Sequence, residues 1–224
     1  MQGRSVLVAG ATGGLGSAIA ANLAQRGAIL TLVGRNSERL ASLGAHGHTV
    51  SLDLRDPRSC EAAISAAIEH GGGIDVVVNA VGIVAFGGID ELTFDTVEDL
   101  FMTNTFVPIM LAQAALRTMR EGGVIVNISG VISEQNLPGM AAYGASKAAV
   151  KSFDEAIARE ARRRKIRVID ARPPHTETGL AQHPIEGQAP KMAFGLDPAT
   201  VAATICDAIA GDVVDLPSTA FAPK

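Results

Sequence analysis

The run Ser5-Val6-Leu7-Val8-Ala9-Gly10-Ala11-Thr12-Gly13-Gly14-Leu15-Gly16 decides the fold. Ser5 to Ala9 is a short apolar stretch ending at glycine, the pattern of a fully buried strand. Ser17 to Arg26 follows as an alanine-rich helix. Glycines between a strand and a helix let the backbone approach a pyrophosphate, and the helix N-terminus adds free amides and a favourable dipole. A glycine motif alone is a weak signal, but in this setting it marks the first unit of a dinucleotide-binding sheet. Gly10, Thr12, Gly13, Gly14, Leu15 and Gly16 are its candidate phosphate contacts.

Strands and helices alternate onward from that unit. Ile29 to Val33 reads as the second strand, with Gly34-Arg35 at its carboxyl end and a helix capped by Asn36 or Ser37 behind it. In such folds an acid near this point holds ribose hydroxyls, whereas an arginine accommodates a 2′-phosphate. Gly34-Arg35 supplies a cation and no acid, which predicts NADP over NAD, with Arg35 as the contact. His48 to Leu52 is the third strand, followed by Asp53-Leu54-Arg55-Asp56-Pro57, and Pro57 suits the first turn of a helix over 58–70. Ile74 to Val78 is the fourth strand, closed by Asn79-Ala80-Val81-Gly82 where a cofactor crevice belongs. A helical region over 93–121 carries Asn104 among apolar neighbours and a kink or restart at Pro108.

Gly123 to Ile128 is the fifth strand and Ile166 to Ala171 the sixth, with a helix from Tyr143 to about Arg164 between them. A last helix covers 197–209, and Val213-Val214 adds a short final strand. The expected architecture is a doubly wound parallel sheet of about seven strands, three layers deep (α/β/α), in a single domain spanning 1–224. The irregular stretch 174–196 is long for a connection in a compact domain and reads as a substrate loop or lid.

Composition narrows the function. The chain has 224 residues, 47% of them apolar, a net charge of −4, no tryptophan and 24 glycines. An acidic balance excludes a nucleic-acid surface of the usual basic kind. Cys60 and Cys206 lack any metal or redox spacing and read as buried thiols in a reducing compartment. His46 and His48 have no third ligand nearby, so no metal site is expected. No apolar run is long enough to span a bilayer, and Gly3-Arg4-Ser5 runs straight into a strand without a leader. A cytoplasmic protein without membrane contact is expected.

Tyr143 is the sole tyrosine, and Lys147 follows it by four residues. On a helix that spacing puts both on one face, where an ammonium favours tyrosinate and lowers the phenol pKa. A phenol tuned in this way exchanges protons near neutral pH.

With these motifs in order, the chain resembles the short-chain dehydrogenase/reductase family over nearly its whole length. Gly10, Gly14 and Gly16 match the family's Gly-x-x-x-Gly-x-Gly, and Tyr143 and Lys147 match its Tyr-x-x-x-Lys. Gly10-x-x-Gly13-x-x-Gly16 also fits the extended, epimerase-type branch, but that branch carries a further substrate domain for which this chain is too short. The resemblance implies a Rossmann fold and hydride transfer between NADP(H) and a carbonyl or alcohol. Tyr143 is then the general acid/base, and Lys147 tunes it and holds the ribose hydroxyls. Asp53, with Leu54 beside it, falls where the family holds adenine, and Asn79, Ala80 and Val81 where it lines the cofactor. Asn104 falls at the active-site asparagine, and Pro173, Thr176 and Thr178 in the segment contacting the nicotinamide carboxamide.

Two positions depart from the pattern. The family's catalytic serine stands thirteen residues before the tyrosine, which here is Gly130; Ser129 is the favoured replacement and Ser133 the other. Pro174 replaces the usual glycine, fixing φ and removing an amide. A non-catalytic NADP-binding redox sensor is therefore the competing expectation. The resemblance also implies a homodimer or homotetramer, paired through helices near 105–120 and 142–163.

Overall fold

The structure is a computed structural model that describes residues 1–222. Six parallel strands form one sheet: β1 (Ser5–Ala9), β2 (Ile29–Gly34), β3 (His48–Ser51), β4 (Val76–Asn79), β5 (Val124–Ile128) and β6 (Arg167–Ala171). Their order is β3-β2-β1-β4-β5-β6, so the chain reverses direction across the sheet between β1 and β4. In an open sheet that reversal leaves a crevice outside the carboxyl ends of the strands. The glycine turn after β1 and Asn79-Ala80-Val81 after β4 both open onto it.

Strand side chains alternate between two apolar layers, as the period of two requires. Val6, Val8, Val76, Val78 and Val124 pack against α1 (Gly14–Gln25) and α7 (Pro198–Ala210). Leu7, Ala9, Val77 and Ile125 pack against α3 (Pro57–Gly71), α5 (Val107–Thr118) and α6 (Ala141–Ala161), while the short α2 (Ser37–Ala41) puts Leu40 into the first layer. Helix starts follow ordinary capping chemistry. Asn36, Asp56 and Asp197 accept backbone amides at the N-termini of α2, α3 and α7, and Pro57 and Pro198 fill first-turn positions.

The second layer includes a polar row. Asn79 on β4 lies beside Asn127 on β5, and Asn127 beside Asp170 on β6, all buried. Asn79 Nδ2 donates to Asn127 Oδ1 at 3.2 Å, and Asn127 Nδ2 donates to Asp154 Oδ1 of α6 at 2.6 Å. Burial pushes the Asp154 carboxyl well above the ordinary range.

One expectation changes and one is resolved. The seventh strand does not form at Val213-Val214; Leu216 instead makes a single parallel bridge to Ala171 at the end of β6. In the helical region 93–121, the kink or restart expected at Pro108 is a restart. The region comprises α4 (Phe94–Phe101), a π segment (Met102–Phe106) and α5, in which Pro108 occupies the first turn. The π segment carries Asn104, and such bulges commonly re-aim a side chain inside a helix.

Candidate active site

A cavity of about 560 Å³ occupies the crevice above the switch point. At one end the turn after β1 comes so close to its neighbours that only glycine fits. A Cβ on Gly16 would lie 2.2 Å from the Gly10 carbonyl oxygen, and one on Gly14 would lie 2.5 Å from the Thr178 carbonyl oxygen. Gly10 has φ of +75° and packs against the Ala80–Val81 peptide, so it is held both by conformation and by space. With Gly13 ahead of the first turn of α1, the turn forms a backbone cradle that could hold phosphate oxygens.

Gly34, Arg35, Arg39, Asp53 and Arg55 line the same end of the cavity. Arg55 grips the Asp53 carboxylate at 2.7 Å, and that hydrogen bond is the main cause of the lowered Asp53 pKa. The exposed side chain of Arg35 stands one residue beyond β2. Arg39 and Arg55 are cavity residues that the sequence reading passed over; Arg39 lies on α2, just after the bend that carries Arg35. The cradle and these cations fit a dinucleotide carrying a further phosphate.

Tyr143 and Lys147 open onto the opposite end, on the first two turns of α6. Tyr143 is half-buried, and withdrawal from water pushes its phenol up to about 12. Lys147 does not act in the direction expected of it, because its Nζ points to the Ile128 carbonyl oxygen at 2.8 Å rather than to the phenol. Burial pulls the ammonium down to about 8. Without a charged partner at its hydroxyl, the phenol follows desolvation upward.

Seventeen expected site residues meet at this cavity: Gly10, Thr12, Gly13, Gly14, Leu15, Gly16, Arg35, Asp53, Leu54, Ala80, Val81, Ser129, Tyr143, Lys147, Pro173, Thr176 and Thr178. Asn79, Asn104 and Ser133 are not among its lining residues. Asn79 sits behind the wall, where its Oδ1 accepts the Val81 amide at 3.2 Å. Asn104 is fully buried; its Oδ1 accepts the Ile83 amide at 2.9 Å, and its Nδ2 donates to the Ile83 carbonyl and to Ser146 Oγ. It fixes the backbone after β4 from behind. A Cβ on Gly82 would lie 3.4 Å from Lys147 Nζ and 3.6 Å from Asn104 Oδ1, so this glycine packs against both side chains.

The serine alternatives resolve into a single pair. Ser129 is fully buried and donates its hydroxyl to Asp170 Oδ1 at 2.5 Å. Ser133 Oγ lies 3.0 Å from Ser129 Oγ and 2.8 Å from the Gly130 carbonyl oxygen, to which it donates. Gly130 itself adopts φ of +80°, which a side chain at that position would resist.

Phe86, Ile132, Leu137, Met140, Leu180 and Met192 form the apolar wall beyond Tyr143. The loop over 174–196 closes one side of it. Its ends are pinned by a Thr176–Leu196 bridge and by Gly195 N donating to Glu177 Oε1 at 2.7 Å. Its middle docks through Ile185 N to the Val84 carbonyl and through Thr93 Oγ1 to Glu186 Oε2. Among the described residues no cluster of His, Cys, Asp and Glu is able to hold a metal, and no helix is long and apolar enough to cross a membrane.

Comparison with known proteins agrees with this geometry. A family profile described as short chain dehydrogenase matches residues 4–189. Versicolorin reductase from Emericella nidulans is 33% identical over 189 residues, covering 80% of this chain and 72% of that protein. A 3-oxoacyl-[acyl-carrier-protein] reductase from Vibrio cholerae is 33% identical over 188 residues, covering 81% of this chain and 77% of the other. The crystal structure of a short chain dehydrogenase from Burkholderia cenocepacia in complex with NADP superposes with a TM-score of 0.84 at 29% identity, covering 99% of both chains. The chain belongs to the short-chain dehydrogenase family, and it is an oxidoreductase on that family's Rossmann-type sheet.

Proposed function

We propose that this oxidoreductase reduces an uncharged, largely apolar carbonyl compound with NADPH in the cytoplasm, with Tyr143 as the general acid. The observation that carries this reading is one cavity shared by the glycine cradle, Arg35 and Arg39 at one end and the Tyr143–Lys147 pair at the other. Bound NADPH would supply the hydride. Gly10, Gly13, Gly14 and Gly16 would hold its phosphates, Arg35 and Arg39 its 2′-phosphate, and Pro173, Thr176 and Thr178 its carboxamide end. Lys147 would hold ribose hydroxyls.

The chain's own chemistry is a proton transfer. A phenol held near 12 stays protonated at neutral pH and so stands ready to give its proton to a carbonyl oxygen as that oxygen gains charge. This favours reduction over oxidation, for which a deprotonated phenol is needed. The wall formed by Phe86, Leu137, Met140 and Met192 suits an apolar substrate, with His175 and His183 as the imidazoles of the same lining. Asn104 would act by fixing the Ile83 backbone. A second copy of the chain is the proposed partner.

The competing reading, an NADP-binding sensor without turnover, draws support from the commitment of the Ser129 hydroxyl to Asp170. A panel of neutral ketones and aldehydes with NADPH separates the two. Wild type is expected to consume NADPH, and Tyr143→Phe to lose at least about a hundredfold in kcat while binding NADPH normally. Equal turnover by both proteins removes Tyr143 as the acid, and tight binding with no turnover by either supports the sensor. Arg35→Ala should lose affinity for NADPH and not for NADH; an unchanged preference would remove Arg35 from the cofactor assignment.

A further inference from the structure

A buried charge cluster stands behind the Ser129 wall, and neither the cradle nor the Tyr143 pair uses it. Arg172, 5% exposed, donates from Nη1 to Asp170 Oδ2 at 2.7 Å, from Nη2 to Asp215 Oδ2 at 2.9 Å, and from Nε to Glu134. Ser218 Oγ donates to the other oxygen of Glu134 at 2.6 Å. Burial opposes the arginine's charge, but its hydrogen bonds to Asp215, Asp170 and Glu134 outweigh it and lift the guanidinium pKa above its ordinary value. Arg172 is therefore a fixed cation. It joins the end of β6, the Ser133–Glu134 loop and the segment after α7.

Asp170 faces two ways within this cluster. Its Oδ2 meets Arg172, and its Oδ1 receives the Ser129 hydroxyl at 2.5 Å. Lys147 lies within reach of its field. That ammonium is 6% exposed and touches no carboxylate; its hydrogen bond goes to the Ile128 carbonyl. Its Nζ is held by the Ile128 carbonyl at the end of β5, a Cβ on Gly82 would come within 3.4 Å of it, Tyr143 stands one turn back on its own helix, and Asp170 on β6 is the carboxylate whose charge supports the ammonium.

We propose that Asp170, clamped by Arg172, is a positioning residue for the Tyr143–Lys147 pair: it holds the Ser129 hydroxyl next to the Ile128 carbonyl that binds the Lys147 ammonium, and it sets a carboxylate charge behind that ammonium. The proposal rests on the catalytic reading of that pair. Burial alone drives lysine toward its neutral form, and a carboxylate behind it opposes that drift. Ser129 spends its one proton on Asp170, so it acts as part of this support rather than as a donor to substrate.

The test is a titration of the cofactor-free protein labelled with ¹⁵N-lysine. The chain has five lysines, and Lys147 is assigned as the resonance lost in Lys147→Met. Wild type should titrate at about 8. Asp170→Asn keeps an oxygen to accept the Ser129 proton but removes the charge, so the Lys147 midpoint should fall below the wild-type value. Asp170→Ser, smaller and still able to accept a hydrogen bond, is the second variant should the first not fold. An unmoved midpoint in a folded variant overturns the proposal, as does a wild-type midpoint well below neutrality. This readout holds whether or not the protein turns over NADPH, so its failure is separable from failure of the enzymatic reading. Where turnover is measurable, the alkaline limb of reduction should move to lower pH in Asp170→Asn. A uniform loss of rate at every pH would reduce Asp170 to a structural residue.

Discussion

Lys147 shows a side chain kept at a cost to the fold. Its folded pKa of about 8 lies below the ordinary 10.5, and the main cause is burial. Between those two values the unfolded chain binds the proton more strongly, so stability rises as pH climbs through that window. Below about 8 both states are protonated and the full penalty of burying the cation is present. Lys147→Met should remove that penalty, stabilising the protein at pH 7 by on the order of 3 kcal/mol at most, less whatever the lost bond to Ile128 contributes. The gain should shrink toward pH 10.5, while reductase activity disappears. Urea unfolding of both proteins at pH 7 and pH 10 measures it, and a variant no more stable at pH 7 would mean that the lysine carries no burial penalty. The Tyr143–Lys147 spacing was readable from sequence because a helix face is fixed by a period of 3.6. The direction of the phenol's shift was not, because it depends on where Nζ points, and that is decided by the Ile128 carbonyl on a different strand.

At the scale of elements, the turn after β1 is the most constrained segment. Gly16→Ala would push a methyl to 2.2 Å from the Gly10 carbonyl oxygen, and that neighbour is backbone, which has little freedom to yield. The expected result is a loss of about 1–3 kcal/mol in stability together with weakened dinucleotide binding, since the cradle must open to fit the methyl. Calorimetric melting with and without NADPH reads both effects, and an unchanged protein on both would show the cradle to be looser than its geometry. This turn, the strand alternation and the capping residues were legible because each is a local rule. The π segment was not. Pro108 fits a helix kink as well as a first turn, and the bulge arises from Asn104 reaching the Ile83 backbone and Ser146. The seventh strand failed for a related reason, since two valines satisfy a propensity but the edge beyond β6 is met only by Leu216. Asp170 and Arg172 left a trace, as charges set into an otherwise apolar strand end, but only the fold reveals that Glu134 and Asp215 converge on that arginine.

For the whole molecule, the side chains left outside the two cores bear on assembly. Phe94, Met102 and Phe106 are exposed at 72%, 36% and 48% along α4 and the π segment, on the flank opposite the buried Leu100 and Asn104. Single exposed apolar residues are ordinary, but three along one continuous helical stretch form a patch that water solvates poorly. This stretch leads into α5, one of the two helices through which pairing is expected from sequence. A second copy brought there would cover the patch with its own, as two-fold symmetry requires. It would also brace the π segment that carries Asn104, and through Asn104 the Ile83 backbone beside the cavity. Phe106→Glu should therefore convert a dimer to a monomer and lower activity without abolishing NADPH binding, because the cradle residues after β1 are not part of this stretch. Sedimentation velocity over a concentration series decides the matter. A wild type that stays monomeric at tens of micromolar, or a variant that still pairs, would place any self-association on a different face.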